Sequence, residues 1–166
     1  MKIMSCSSVL TLCIVFCLIL IVGCSNANEG TTTGENTNWE PSKYETVNDL
    51  NGVTMIIKKG TVNSTGLTVV FENNSGKQCT YGEFFSLEKK IEGRWYHVPV
   101  TIDGNYAFND IGYGFGSSNV SEWTVDWKWL YGKLVTGEYR IVKDILDFRK
   151  AGDYDKYYLA AEFTIN

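Results

Sequence analysis

Histidine is nearly absent: His97 is the only one in 166 residues. Any Ser-His-Asp or Cys-His catalytic arrangement must therefore run through that one ring. Cysteine is scarce where a fold would need it, since Cys6, Cys13, Cys17 and Cys24 crowd the start of the chain and only Cys79 follows. A basic excess is also missing, with 15 Lys and Arg against 19 Asp and Glu and a formal net charge of −4. A nucleic-acid partner needs a basic face and adhesion to anionic lipid needs a polybasic run, so neither is expected. Helical periodicity is rare, and residues 143–149 are the one short helix candidate.

What is present begins with an apolar, uncharged run over residues 9–22, preceded by the lone cation Lys2. The run is shorter than the roughly 20 apolar residues of a spanning helix and suits a secretory signal. It closes in Leu20-Ile21-Val22-Gly23-Cys24, which resembles the lipobox of bacterial lipoproteins. That resemblance implies cleavage after Gly23, a diacylglycerol on the Cys24 thiol, palmitate-like acyl chains, and a place at the extracytoplasmic face of the cell membrane. Residues 1–23 are then the lipoprotein signal peptide. With three cysteines removed and Cys24 acylated, Cys79 is left alone, and neither an internal disulfide framework nor a Cys-x-x-Cys metal site is expected.

Residues 24–48 are rich in Asn, Thr, Gly and Glu and nearly free of aliphatic side chains. Such a stretch buries too little apolar surface to offset its ordering entropy and is expected to be a flexible tether. Trp39 and Tyr44 are its two candidates for docking on the folded part.

From residue 49 to 166 the length is that of one domain, and the periodicity is predominantly two. "VTMIIKK" and "GLTVVFENN" read as strands ending in turn formers. "FFSLEKKIEGRWYHVPV" reads as a hairpin about Glu92-Gly93. A two-residue loop sets Leu87 opposite Val98 and Lys89 opposite Tyr96, so Phe85, Leu87, Tyr96, Val98 and Val100 share the expected core face. The other face, expected to be solvated, sets Glu88 opposite His97 and Lys90 opposite Trp95. In "EWTVDWKWLYG" the residues Trp123, Val125, Trp127, Trp129 and Tyr131 share one parity, which predicts a strand with one buried face. "GEYRIVKDIL" and the closing "KYYLAAEFTIN" complete about seven strands, and an all-β antiparallel sandwich is expected.

"VDWKWLYGKLVTGEYRIVK", with "FSLEKKIEGRWYHVP" before it and "YYLAAEFTI" after it, resembles a bacterial immunoglobulin-like domain family found in secreted lipoproteins. The resemblance runs from about Val53 to the end of the chain. It implies an immunoglobulin-like β-sandwich over residues 49–166, with Tyr139 in "LVTGEYRI" as a tyrosine corner, Gly137 permitting the turn before it and Leu134 beginning the motif. It implies no catalytic residue, no cofactor and no enzyme.

Residue chemistry adds little to that. Cys79 has no neighbouring base in the sequence and reads as a small buried hydrophobe. Asp103, Asn105, Asn109 and Asp110 in "IDGNYAFNDIG" offer oxygen ligands of the calcium type, but the EF-hand spacing is missing and Asp-Gly-Asn is a turn sequence. The Asn-x-Ser/Thr triplets at Asn63, Asn73 and Asn119 are read as turns. The expected function is a membrane-anchored, non-catalytic binding or structural module at the bacterial cell envelope, held by Cys24, with a protein or polysaccharide ligand. A carbohydrate-binding module using exposed aromatic side chains is the second reading, and a hydrolase the third.

Overall fold

The computed structural model describes residues 38–166. The expected signal peptide, Cys24 and the first part of the expected tether lie outside the described residues. Nine strands are present among these residues, all paired antiparallel: β1 (Val53–Ile57), β2 (Gly66–Asn73), β3 (Cys79–Tyr81), β4 (Ser86–Ile91), β5 (Arg94–His97), β6 (Tyr113–Phe115), β7 (Asn119–Asp126), β8 (Gly137–Lys150) and β9 (Asp153–Ile165). One sheet has the order β1-β2-β7, and the other has the order β5-β4-β8-β3-β6 with β9 also paired to β8. Together they form the antiparallel β-sandwich expected. The two strands beyond the expected number are the three-residue β3 and β6, too short to carry a period of two.

β8 organises the larger sheet. Its 14 residues pair with β9 along one edge, while the other edge is shared by β4, through Leu87↔Ile141, and β3, through Thr80↔Leu146. The helix expected over 143–149 is thus part of this strand. Ile141 and Ile145 both face the core with Lys143 between them, and apolar residues four apart with a cation between imitate a helical stripe.

The apolar side chains facing inward from both sheets form one core, including Phe71, Ile141, Ile145 and Leu159, all fully buried. β7 alternates as expected, with Trp123 and Val125 inside and Glu122 and Thr124 outside. The strand stops at Asp126, whose Oδ1 accepts the Lys128 N–H at 2.8 Å. A single helical turn, α1 (Lys128–Tyr131), follows, and the Tyr131 N–H donates to the Trp127 carbonyl at 2.8 Å. Burial therefore changes period: Trp127, Leu130 and Tyr131 face inward, and Trp129, expected on the buried parity, is 46% exposed. Trp127 Nε1 donates to the Ser64 carbonyl at 3.1 Å, and its ring stacks on Phe163, which stacks in turn on Tyr139.

Candidate functional site

The β4–β5 hairpin has the expected register, with Glu88↔His97, Lys89↔Tyr96 and Lys90↔Trp95. Both turn residues have positive φ, 50° at Glu92 and 79° at Gly93, as a two-residue hairpin turn of the primed type demands. Phe85, Leu87 and Val98 are in the core as expected, but Tyr96 is half-buried and Val100 is 38% exposed, because β5 ends at His97 and the chain turns away.

The outer face of the hairpin is not solvated at Glu88, which has no exposed surface at all, while Lys90, Trp95 and His97 on the same face are half-buried. Its cover is an arm, residues 38–48. The arm joins the free edge of β5, where the His97 N–H donates to the Glu40 carbonyl at 2.8 Å and the Ser42 N–H to the Trp95 carbonyl at 2.9 Å. It then crosses the sheet to β9, where the Asn48 side chain exchanges two hydrogen bonds with the Ala160 backbone, at 3.1 and 2.9 Å. Tyr44 is buried between, against the rings of His97 and Tyr158, and Trp39 lies beneath the Lys89 ammonium.

Under the arm a polar cluster replaces water. Glu88 Oε2 accepts from Arg140 Nε at 2.6 Å, the Arg140 guanidinium stacks on Trp95, and Arg140 also donates to Ser42 Oγ at 3.2 Å. His97 Nδ1 sits 3.5 Å from Glu88 Oε1 and 3.3 Å from Ser86 Oγ. Serine, histidine and glutamate are therefore adjacent, but Ser86 and Glu88 approach the same ring nitrogen. In a catalytic triad the nucleophile and the orienting acid engage opposite nitrogens, so the three do not form a triad.

Next to it, between the arm and residues 97–106, opens a cleft of about 560 Å³. Trp39, Phe84, Tyr106 and Tyr131 give it aromatic walls, and Pro41 and Pro99, the only prolines in the chain, also line it. Ser86 and His97 add polar groups, and Glu40 and Lys43 one acidic and one basic side chain. Burial pushes the Tyr131 phenol up to about 12, so it remains a neutral hydroxyl. Outside the cleft the aromatic surface continues: Tyr106 is 6.1 Å from Phe108 and 6.4 Å from Trp129 between ring centres, and Phe108 also meets Phe84.

The motif residues 134–139 lie at the start of β8. The Tyr139 ring is buried and its hydroxyl donates to the Val135 carbonyl, four residues upstream, at 2.9 Å. Gly137 has a φ of 156°, and a Cβ there would lie 3.0 Å from Lys89 Cε and 3.3 Å from the Tyr139 ring. Leu134 is buried and its N–H donates to the Ser64 carbonyl.

The other candidates are separate from the cleft. Cys79 is buried and burial raises its thiol pKa, which disfavours the thiolate. Asp103 and Asp110 are exposed, and no group of three or more metal-ligating side chains is assembled among the described residues. Asn63 and Asn73 accept from the backbone N–H two residues on, at 2.9 and 3.0 Å, as turn residues do.

Sequence reasoning passed over Lys143, which is fully buried. Its Nζ donates to the Phe84 carbonyl, lies 3.5 Å from Asp144 Oδ1, and stands 5.1 Å from the Trp123 ring centre and 5.7 Å from that of Tyr81. Burial lowers its pKa to about 8.

Two antiparallel sheets closed over a single core, with an open cleft beside the arm, place the domain among β-sandwich modules. The family model described as bacterial Ig-like domain matches residues 49–164, and the chain belongs to that family. Domains of this family are generally non-catalytic. Neither a curated protein nor a solved structure matches the chain.

Proposed function

We propose that the protein is an extracytoplasmic lipoprotein of the bacterial cell envelope, anchored to the membrane by acyl chains on Cys24, whose immunoglobulin-like domain binds a ligand and catalyses nothing. The observation that carries the binding role is the cleft beside the arm, where aromatic and polar side chains face an open space large enough for a small ligand. Anchoring rests on "LIVGC" and on the uncharged run before it. One acyl chain gives only marginal membrane binding, whereas two or more hold firmly at about 0.8 kcal/mol per buried CH₂.

The test is metabolic labelling with fatty acid in cells producing the wild type or Cys24→Ala. The wild type should incorporate label, resist salt extraction and leave the membrane with detergent. The variant should carry no label and keep its signal. Label on the variant would remove Cys24 as the attachment site.

A further inference from the structure

The cleft has a chemical character of its own, apart from its position in an anchored module. Its fully charged side chains are Glu40 and Lys43, so it offers no cationic set for a phosphate, a nucleotide or an acidic peptide. An acyl chain is equally unsuited, because it would desolvate Ser86 and the free edge of His97 without bonding to them. His97 uses Nδ1 toward Ser86 and Glu88, and its Nε2 has no partner among the described residues. The wall thus combines apolar rings with polar groups that can bond to hydroxyls: the His97 imidazole edge, the Ser86 hydroxyl and the Glu40 carboxylate, the last an obligate acceptor when ionised.

A ligand matching this lining has apolar faces for rings and O–H donors around its edge. A polyproline segment has the apolar faces, but its proline residues lack N–H donors. A sugar has both. The aromatic surface continuing past the mouth, with Tyr106 44% and Trp129 46% exposed, extends the same chemistry beyond a single ring. Exposed aromatic groups gathered in one place on a soluble domain mark a binding surface.

We propose that the cleft beside the arm, together with the Tyr106–Trp129 surface at its mouth, binds a neutral oligosaccharide, with rings stacked on its faces and His97, Ser86 and Glu40 bonded to its hydroxyls. The assignment rests on the binding-module reading and names its ligand class. The sugar site is distinct from the run Trp123 to Tyr131 as a whole, since Trp123 and Trp127 are buried in the core. Trp129 joins it only because α1 turns that side chain outward.

The test uses the full-length lipoprotein in detergent, titrated calorimetrically with neutral oligomers of glucose, mannose and N-acetylglucosamine, and separately with a proline-rich peptide. At least one oligosaccharide series should bind. Tyr106→Ala should weaken it by about tenfold, as truncating an aromatic anchor does, and His97→Ala should weaken it as well. Tyr154→Ala removes an equally exposed ring from β9, away from the cleft, and should change nothing. Melting curves of the Tyr106 and Tyr154 variants should match the wild type, so a binding loss is not a folding loss. Peptide binding that depends on Tyr106, with no sugar bound, would overturn the ligand class and leave the binding module standing. No binding of either probe, or equal losses from Tyr106→Ala and Tyr154→Ala, would overturn the site itself. The lipid-labelling result is independent of all three outcomes.

Discussion

Glu88 Oε2 and Arg140 Nε meet at 2.6 Å with both side chains withdrawn from water, on the side of the sheet that faces away from the core. Two facts account for an ion pair there. The register places Glu88 directly opposite both Arg140 and His97, and the arm closes over Glu88 and Arg140 while one edge of His97 faces the cleft. The pair is therefore dry because of a segment more than forty residues away in sequence, and its energetics are those of a buried charge pair.

Removing one partner should be expensive for that reason. Arg140→Met leaves a buried carboxylate without its cation, at a cost of about 3 to 5 kcal/mol. Replacing both, as Glu88→Leu with Arg140→Met, should recover most of the loss, because the desolvation of two charges disappears with them. Urea unfolding of the single and double variants measures this. A single-variant loss under about 1 kcal/mol would mean that water reaches the pair beneath the arm.

The start of β8 gives a smaller, cleaner effect. Tyr139→Phe removes the hydroxyl that donates to the Val135 carbonyl and should cost about 1 kcal/mol. Gly137→Ala should cost more, about 1 to 3 kcal/mol, because its backbone conformation suits glycine and the new methyl would press on the Tyr139 ring. If Gly137→Ala melts like the wild type, the backbone at that position is not constrained as described.

Two tryptophans two residues apart should behave in opposite ways. Trp127→Ala opens the core beside Phe163 and breaks the bond to the Ser64 carbonyl, for a loss of about 3 to 5 kcal/mol. Trp129→Ala removes a half-exposed side chain from α1 and should stay within about 0.5 kcal/mol, as surface substitutions do. Equal losses at the two positions would restore the strand that the sequence pattern predicts through residue 131.

These contrasts show where sequence was legible. The hairpin register followed from one local feature, a two-residue turn at Glu92-Gly93, and a turn fixes pairing without knowledge of the rest. Trp123 and Val125 were legible because alternation is local too. The burial of Glu88 was not, since it depends on residues 38–48, whose composition resembles that of a tether. There, backbone hydrogen bonds to the β5 edge and the single ring of Tyr44 do what a run of aliphatic residues does elsewhere. The cleft was hidden for the same reason: its walls come from separated segments, and no stretch of the chain contains their spacing. Lys143 escaped because a lysine at an inward position looks like a break in a strand.

Lys143 supplies the last prediction, a dependence of stability on pH. Its folded-state pKa is about 8, against 10.5 ordinarily. Below about pH 8 the amine is charged in both the folded and the unfolded chain, and the folded chain bears the full cost of burying that charge. As pH rises from 8 toward 10.5 the folded chain has released the proton that the unfolded chain still holds, so stability rises. The gain is about 1.4 kcal/mol per pH unit at most, or about 2 kcal/mol between about pH 8 and 9.5. Tyr131 acts in the opposite sense only at higher pH: its phenol ionises near 12 when folded against 10.0 ordinarily, so its contribution is lost from about pH 10 upward. Cys79, whose thiol pKa burial holds above its ordinary 9.0, also opposes the lysine from about pH 9 upward, so the lysine's own share is read from the difference between the wild type and a variant without the amine. Urea unfolding at pH 7.5 and 9.5 should show the wild type gaining stability relative to Lys143→Met, which has no amine to titrate. Parallel profiles for the two proteins would mean that the Lys143 ammonium is no harder to bury than to hydrate, and that the Phe84 carbonyl and the Asp144 carboxylate compensate it in full.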